Sequence, residues 1–484
     1  MNAGYVKDVT LVVPEFLVNS YKLDSYWYNF KSIEGFETDD VDYWAIHNPL
    51  TLNRERFGGN PSVKIYSNTY LKVNGDTEQQ FNNFEIDYNS SMLSNCKKVT
   101  VNGDATVWYN TSANKWYFIS LPFDVKVSDI VIETEGAKNA IRYYDGAHRA
   151  TFGPTGSWTK FEADAVIPAG TGFIYQTSKD TWNGFKAVDN DMKQNIVSVN
   201  EFTKKLDVNA SETKSNSGWN LVGNPYQCYY NTHKLNFIAP ITVWNVSNKT
   251  YSAYSITDDD YALAPNEAFF VQSDAGYTII GFPIDGRQVD NIIVEQNAVK
   301  DRMATASRRQ FIDLTFTDGQ TTDQTRVVIN PEAKMDYETS CDASKFMSMD
   351  TDVPQIYTLS ADGIQYAINE RPLGNAEVRL GLYAGKTGTY TLALKRSTAG
   401  QVYLKDNESG EVTEITDLGV KVSVEAGTSE GRFSLVFAGS ATGIEGLDSE
   451  PVEVQPSAFN LNGQAVSGSY KGIVISNGKK ILKK

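Results

Sequence analysis

The residue types that usually carry catalysis are scarce or scattered in this chain. There are three histidines in 484 residues, which leaves little for histidine-based zinc sites or acid–base pairs. The sequence has no GxSxG elbow, no HExxH, no GxxxxGKS/T loop and no GxGxxG after a strand. Its 59 acidic residues supply carboxylate pairs by chance, and glycosidase chemistry depends on separation in space, not in sequence. Asp258-Asp259-Asp260 and Asp318-Gly319 carry oxygen ligands of the kind calcium takes, but not at EF-hand spacing. Solvated turns are the simpler reading of both, and no cofactor is expected. Trp158 and Trp182 stand among glycines and threonines. Read as loop residues, they are the candidate glycan contacts, because an exposed indole can lay its flat apolar face on a sugar ring. The expectation from motifs is therefore a protein that is not an enzyme.

Those residues must be held by something, and composition says what. Hydrophobic residues make up 41% of the chain and charged residues 21%, enough to bury real cores. At roughly 100–200 residues per domain the length suggests about three or four domains. The net charge is −15, which argues against nucleic acid or an anionic membrane as partner. No run of 18 apolar residues occurs, so no membrane-spanning helix is expected. The cysteines, Cys96, Cys228 and Cys341, are odd in number and widely spaced. They read as buried free thiols rather than a disulfide framework. Residues 1–10 lack a charged segment followed by an apolar one, and we expect that a front segment has been removed.

Short runs rich in Val, Ile, Thr, Tyr and Phe alternate with Gly, Asn, Asp and Pro, the pattern of many short strands joined by turns. The expected fold class is all-β: tandem β-sandwich-like modules, a small β unit at the C-terminus, and an N-terminal remnant of a leucine-rich-repeat or β-solenoid unit. In residues 1–36, Leu11-Val12-Val13-Pro14 reads as a strand, and Tyr21, Trp27 and Phe30 can share one side of the stretch that follows. Such a unit is too small to bury its own face and belongs in a stack. Residues 37–112 read as a short β stack, either a solenoid or a small sandwich.

Residues 113–290 contain a duplication. Trp116-Tyr117-Phe118-Ile119 aligns with Trp219-Asn220-Leu221-Val222, Ile141 to Tyr144 aligns with Ile241 to Trp244, and Ile167 to Gln176 aligns with Ala264 to Gln272. Three blocks in one order define two copies, about 113–200 and 215–290. Trp116 and Trp219 read as core anchors, whereas Trp158 and Trp182 have no clear counterpart in the second copy. Residues 301–310 are polar and carry three arginines, as a linker does. Period-two runs over residues 311–440 read as one antiparallel sandwich. A small, acidic, polar stretch over 439–456 separates it from the last unit, residues 457–484.

That last unit reads Phe459-Asn460-Leu461-Asn462-Gly463-Gln464-Ala465-Val466, then Tyr470-Lys471-Gly472-Ile473-Val474-Ile475, a turn at Asn477-Gly478, and a basic end from Lys479-Lys480 to Lys484. It resembles the C-terminal sorting domain of proteins exported by the type IX secretion system of Bacteroidetes. The matching positions are Leu461, Gly463, Val466, Gly472, Lys479 and Lys480, and Val474 stands where that family often has Tyr. The resemblance implies export through the type IX machinery as a partner, and a location outside the cell or on the outer-membrane surface. Residues 311–437 resemble the β-sandwich spacer that often precedes such a domain, through Asp342 to Phe346, Pro354 to Tyr357, Tyr366 to Asn369, and Arg432-Phe433. The opening segment resembles the end of a BspA-like leucine-rich repeat, which implies the C-terminal part of a larger surface protein. Together these imply a non-enzymatic, surface-attached stalk or adhesin-like module facing a host or matrix protein or a glycan. The competing expectation is a polysaccharide-binding or polysaccharide-degrading protein whose catalytic part lies upstream.

Overall fold

Alternating apolar residues in short runs satisfy their backbone groups only by pairing with neighbours, and pairing is what the chain does almost throughout. The structure is a computed structural model that describes residues 9–15, 18–23, 27, 29–36, 42–53, 60–75, 78–293, 309–373 and 377–437, and the backbone of four strands between 458 and 483. Among the described residues there are two α-helices, Val18–Leu23 and Gly146–Phe152; everything else regular is strand or short 3-10 turn. The chain divides into two units, residues 1–438 and 439–484.

The first unit opens with strands Thr10–Pro14 and Ser32–Phe36. They pair in parallel from Thr10↔Ser32, and the Val18–Leu23 helix makes the crossover that a parallel pair requires. Val13, Val18 and Ile33 are buried there, with Leu11, Tyr21, Trp27 and Phe30 against them.

Residues 43–111 wind as a parallel β-solenoid. Strands Tyr43–Ile46, Ser62–Ile65, Phe84–Asp87 and Ala105–Thr111 stack in parallel on one face. Leu50–Asn53, Tyr70–Asn74 and Ser91–Ser94 form a second face, and Glu78–Phe81 with Lys98–Val101 a third. Period two sends Val63, Ile65, Leu71, Val73, Phe84, Ile86 and Val107 inward. At the corners, asparagines stack one coil above the next: Asn89 Nδ2 donates to Asn68 Oδ1 at 2.9 Å, 21 residues away, and Asn95 Nδ2 donates to Asn74 Oδ1 at 2.8 Å.

The duplicated region builds two antiparallel four-stranded sheets with matching order. In the first, Tyr117–Ile119, Phe173–Thr177, Asn139–Tyr144 and Trp158–Lys160 lie side by side; in the second, Trp219–Gly223, Ala268–Gln272, Ile241–Asn245 and Thr250–Tyr254. The copies pack on each other reciprocally. Ile119 bridges Glu267 while Val222, its counterpart, bridges Thr171. Ser120 N donates to Asn266 O at 2.9 Å and Gly223 N donates to Gly170 O at 3.1 Å. Gly170 and Asn266 occupy the same left-handed turn position, with φ of 65° and 60°. Reciprocal contacts of this kind are the mark of a two-fold relationship. The first copy also merges with the solenoid, since Thr181–Lys186 pairs antiparallel with Ala105–Thr111, and one hydrophobic core runs through both.

The last part of the first unit is an eleven-stranded sheet over residues 310–437. Its inward residues from both ends, among them Leu314, Leu380, Leu392, Val422 and Leu435, share one core, so the sheet folds back on itself. It is antiparallel except for one parallel pair, Thr322–Ile329 with Gln365–Arg371, where a purely antiparallel set was expected.

The second unit is a four-stranded antiparallel sheet in the order Ala465–Val466, Ala458–Asn460, Gly472–Ser476, Lys479–Lys483. Among the described residues its strands pair with one another.

Candidate functional site

Where the solenoid meets the two sheets, the elements leave a cleft of about 190 Å³. Tyr88 and Asn89 come from the turn after the solenoid strand Phe84–Asp87, and Tyr109 from the last solenoid strand. Phe118 comes from the first copy; Tyr229, Trp244, Val246, Ala264, Pro265, Glu267 and Ala268 come from the second. The Tyr88 and Tyr109 rings lie 4.4 Å apart, and Tyr117 packs edge-on behind Tyr109 at 5.8 Å. Trp244 stacks on Phe118 at 5.6 Å and is pinned by its indole N–H, which donates to Trp116 O at 3.0 Å.

Glu267 is the carboxylate in the lining. Its Oε1 accepts from the Tyr261 hydroxyl at 2.6 Å and its Oε2 from Ala264 N at 2.8 Å. Burial pushes its pKa up, and those two hydrogen bonds only partly restrain the shift. Burial also raises the phenols of Tyr88, Tyr109 and Tyr229, and the Glu267 charge adds to the shift at Tyr109 and Tyr229. All three therefore stay protonated near neutrality. The lining thus offers flat ring faces, hydroxyl donors and one carboxylate, which is recognition chemistry.

Trp158 and Trp182, the candidate glycan contacts, lie outside this lining. Both are on strands, Trp158–Lys160 and Thr181–Lys186, and not in loops. Trp158 is half-buried in an aromatic cluster between the two copies, edge-on to Phe118 at 5.6 Å and to Tyr144 at 5.1 Å. It also has a counterpart after all. Trp158 pairs with Tyr144 in the first sheet, as Tyr251 pairs with Trp244 in the second. Trp182 sits edge-on to Tyr88 at 6.3 Å, on a different sheet. Trp219 is a core residue, 2% exposed, while Trp116 is half-buried under Arg142.

Of the acidic run only Asp260 is exposed, as a solvated turn would have it, while Asp258 and Asp259 are largely withdrawn from solvent. Asp258 binds Arg309 at 2.7 Å, Asp259 binds Arg326 at 2.6 Å, and Asp260 meets His233 Nε2 at 2.8 Å. Arg326 also binds Asp313, as does Arg396. Asp258 and Asp259 therefore form an ionic seam between the second copy and the eleven-stranded sheet, while Asp260 pairs within the second copy. Asp318 accepts from Gln320 N and Thr321 N and closes its own turn. Among the described residues no group of three or more His, Cys, Asp or Glu is placed to hold a metal ion. Cys96, Cys228 and Cys341 are free, and Cys341 is only half-buried, where full burial was expected. Burial pushes the Cys228 and Cys341 thiols up to about 12.

In the second unit, Val466 ends a strand, Gly472 starts one, and Lys479 and Lys480 start the last. Leu461 and Gly463 lie outside the described residues.

A family model described as a domain of unknown function, DUF8693, matches residues 227–437. The matched stretch covers most of the second copy and the whole eleven-stranded sheet, the two parts that the ionic seam joins. No curated protein and no solved structure matches the chain.

Proposed function

We propose that this chain is the C-terminal part of a secreted, surface-attached bacterial protein, a non-enzymatic stalk and interaction module exported by a type IX-like route. On this reading the last four strands are the sorting domain, the eleven-stranded sheet is a sandwich-like spacer, and the solenoid with its Thr10–Pro14 and Ser32–Phe36 strands continues a leucine-rich-repeat array. The observation that carries the reading is the terminal sheet itself. It clusters as its own unit, and Val466, Gly472, Lys479 and Lys480, which carry the resemblance, lie on its strands. A tag that an export apparatus reads has to be presentable without unravelling its cargo, and strands that pair with one another meet that need.

The experiment is a fusion. Residues 439–484 are joined to a monomeric fluorescent protein carrying a periplasmic signal and expressed in a bacterium with a working type IX system. The reading expects the reporter outside the cell or on its surface, and retained when Gly472 and Lys479-Lys480 are replaced. Retention of the unaltered fusion in the periplasm would overturn it.

A further inference from the structure

We propose that the cleft between the solenoid and the duplicated sheets binds an organic ammonium group, with Glu267 supplying the counter-charge and Tyr88, Tyr109, Tyr229 and Trp244 the ring faces. This goes beyond the export reading and stands or falls without it.

The first argument is a missing partner. Glu267 is a partly buried carboxylate held by a phenol and a backbone amide, and no lysine, arginine or histidine among the described residues pairs with it. Charges taken out of water are normally paired. Asp323, Asp313 and Asp259 each face a lysine or an arginine. Asp342 lacks such a partner too, but it is sealed in the core and bonded by two backbone amides, whereas Glu267 stands at the wall of an open cleft. What is missing can arrive from solution.

The second argument is the rest of the lining. Aromatic faces attract an ammonium through the ring quadrupole, with about 0.5–2 kcal/mol per contact once water is excluded. Five such rings line this cleft, Phe118 with the four named above. The third argument is size. A volume of about 190 Å³ equals roughly six waters at ~30 Å³ each. That admits a trimethylammonium head or the tip of a lysine, and falls short of the ~300 Å³ where drug-sized pockets begin. A net charge of −15 draws cations toward the molecule. A neutral sugar would meet the same rings but would leave the carboxylate uncompensated.

The test titrates the whole chain with choline chloride, with the uncharged tert-butyl isostere of choline, with N-acetyl-lysine amide and with methyl glucoside, read by calorimetry and tryptophan fluorescence. The proposal expects saturable binding of choline or of the lysine amide, which one identifying a quaternary head group or a lysine tip as the source. The isostere should bind at least about tenfold more weakly, which is the share that charge contributes. Glu267→Gln should weaken binding about tenfold, and Trp244→Leu should do so as well while leaving the melting temperature within a few degrees. Affinity should fall in acid as Glu267 takes up a proton. Equal binding of the isostere, saturation by methyl glucoside alone, or no saturation by either cation would overturn the proposal. The comparison with the isostere uses the unaltered protein, so it decides even if a variant fails to fold.

Discussion

The guanidinium of Arg149 lies against both Trp219 and Phe346, 4.8 and 4.3 Å from their centroids, and the two rings meet edge-on at 4.8 Å. Arg149 is 1% exposed and no carboxylate pairs with it among the described residues; Tyr144 Oη, Ser215 O and Ser344 Oγ accept from its nitrogens. It comes from the short helix that Asp145 caps, while Phe346 lies just after the Ala343–Ser344 strand of the eleven-stranded sheet. One side chain thus ties the first copy, the second copy and the third module together.

Arg149 works here through packing and ring contact more than through charge. Arg149→Met, which keeps the stem volume, should change stability by about 1 kcal/mol or less. Arg149→Ala should cost about 2–5 kcal/mol, because it opens a cavity that a methionine stem fills. Guanidinium melts of the three proteins measure both.

Lys345 and Asp323 form an ion pair at 2.5 Å with both side chains fully buried. Burial holds the Asp323 carboxyl above its usual range even beside the lysine. Removing one partner leaves the other charge buried alone. Lys345→Met should therefore cost about 3–5 kcal/mol, and the double variant with Asp323→Leu should recover most of it. A double-mutant cycle by chemical denaturation checks the coupling.

Asp342 gives the protein a pH signature. Burial raises its pKa to about 7, against two backbone amides that favour the charged form. The folded state therefore holds a proton that the unfolded chain, with an ordinary carboxyl near 3.9, gives up. The stability from this group is fully present below about pH 4 and is lost as pH rises toward 7. Asp342→Asn should flatten that part of the stability curve, which urea melts between pH 4 and 8 would register.

The solenoid's 21-residue coil makes a length prediction. Asn68 and Asn89 stack through their carboxamides at that interval. Deleting residues 63–83 removes one coil and keeps every later side chain on its face, so the shortened chain should still melt cooperatively. Deleting 20 of those residues turns inward residues outward and should abolish the transition followed by circular dichroism.

Much of this architecture was legible because it is local. The strand runs and the three duplicated blocks depend on neighbours in sequence, and those blocks fall on equivalent strands of two sheets. The coil period was there to be read in Asn68, Asn89 and Asn110. It was hidden by the more conspicuous turns at Asn74-Gly75-Asp76 and Asn102-Gly103-Asp104, which follow a different interval. Thr181-Trp182-Asn183-Gly184 carries turn chemistry, yet it lies in a strand. Asn183 is buried there, its Nδ2 donating to Tyr109 O and to Thr111 Oγ1 at 3.0 Å each. The partners of Asp258 and Asp259, namely Arg309 and Arg326, lie 51 and 67 residues downstream, and no spacing rule connects them. The cleft is harder still to see in advance, because Tyr88, Tyr109, Phe118 and Glu267 share a wall only after three modules have docked.

The account rests on the terminal sheet being an address that the cargo does not need for folding. The direct measurement compares the full chain with residues 1–438, each fused behind the same periplasmic signal in a type IX-competent cell, scored by surface protease accessibility and by the melting temperature of the purified proteins. The account predicts equal melting temperatures within a few degrees, with the full chain at the surface and the shortened chain kept in the periplasm. Surface display of the shortened chain, or its failure to fold, would contradict it.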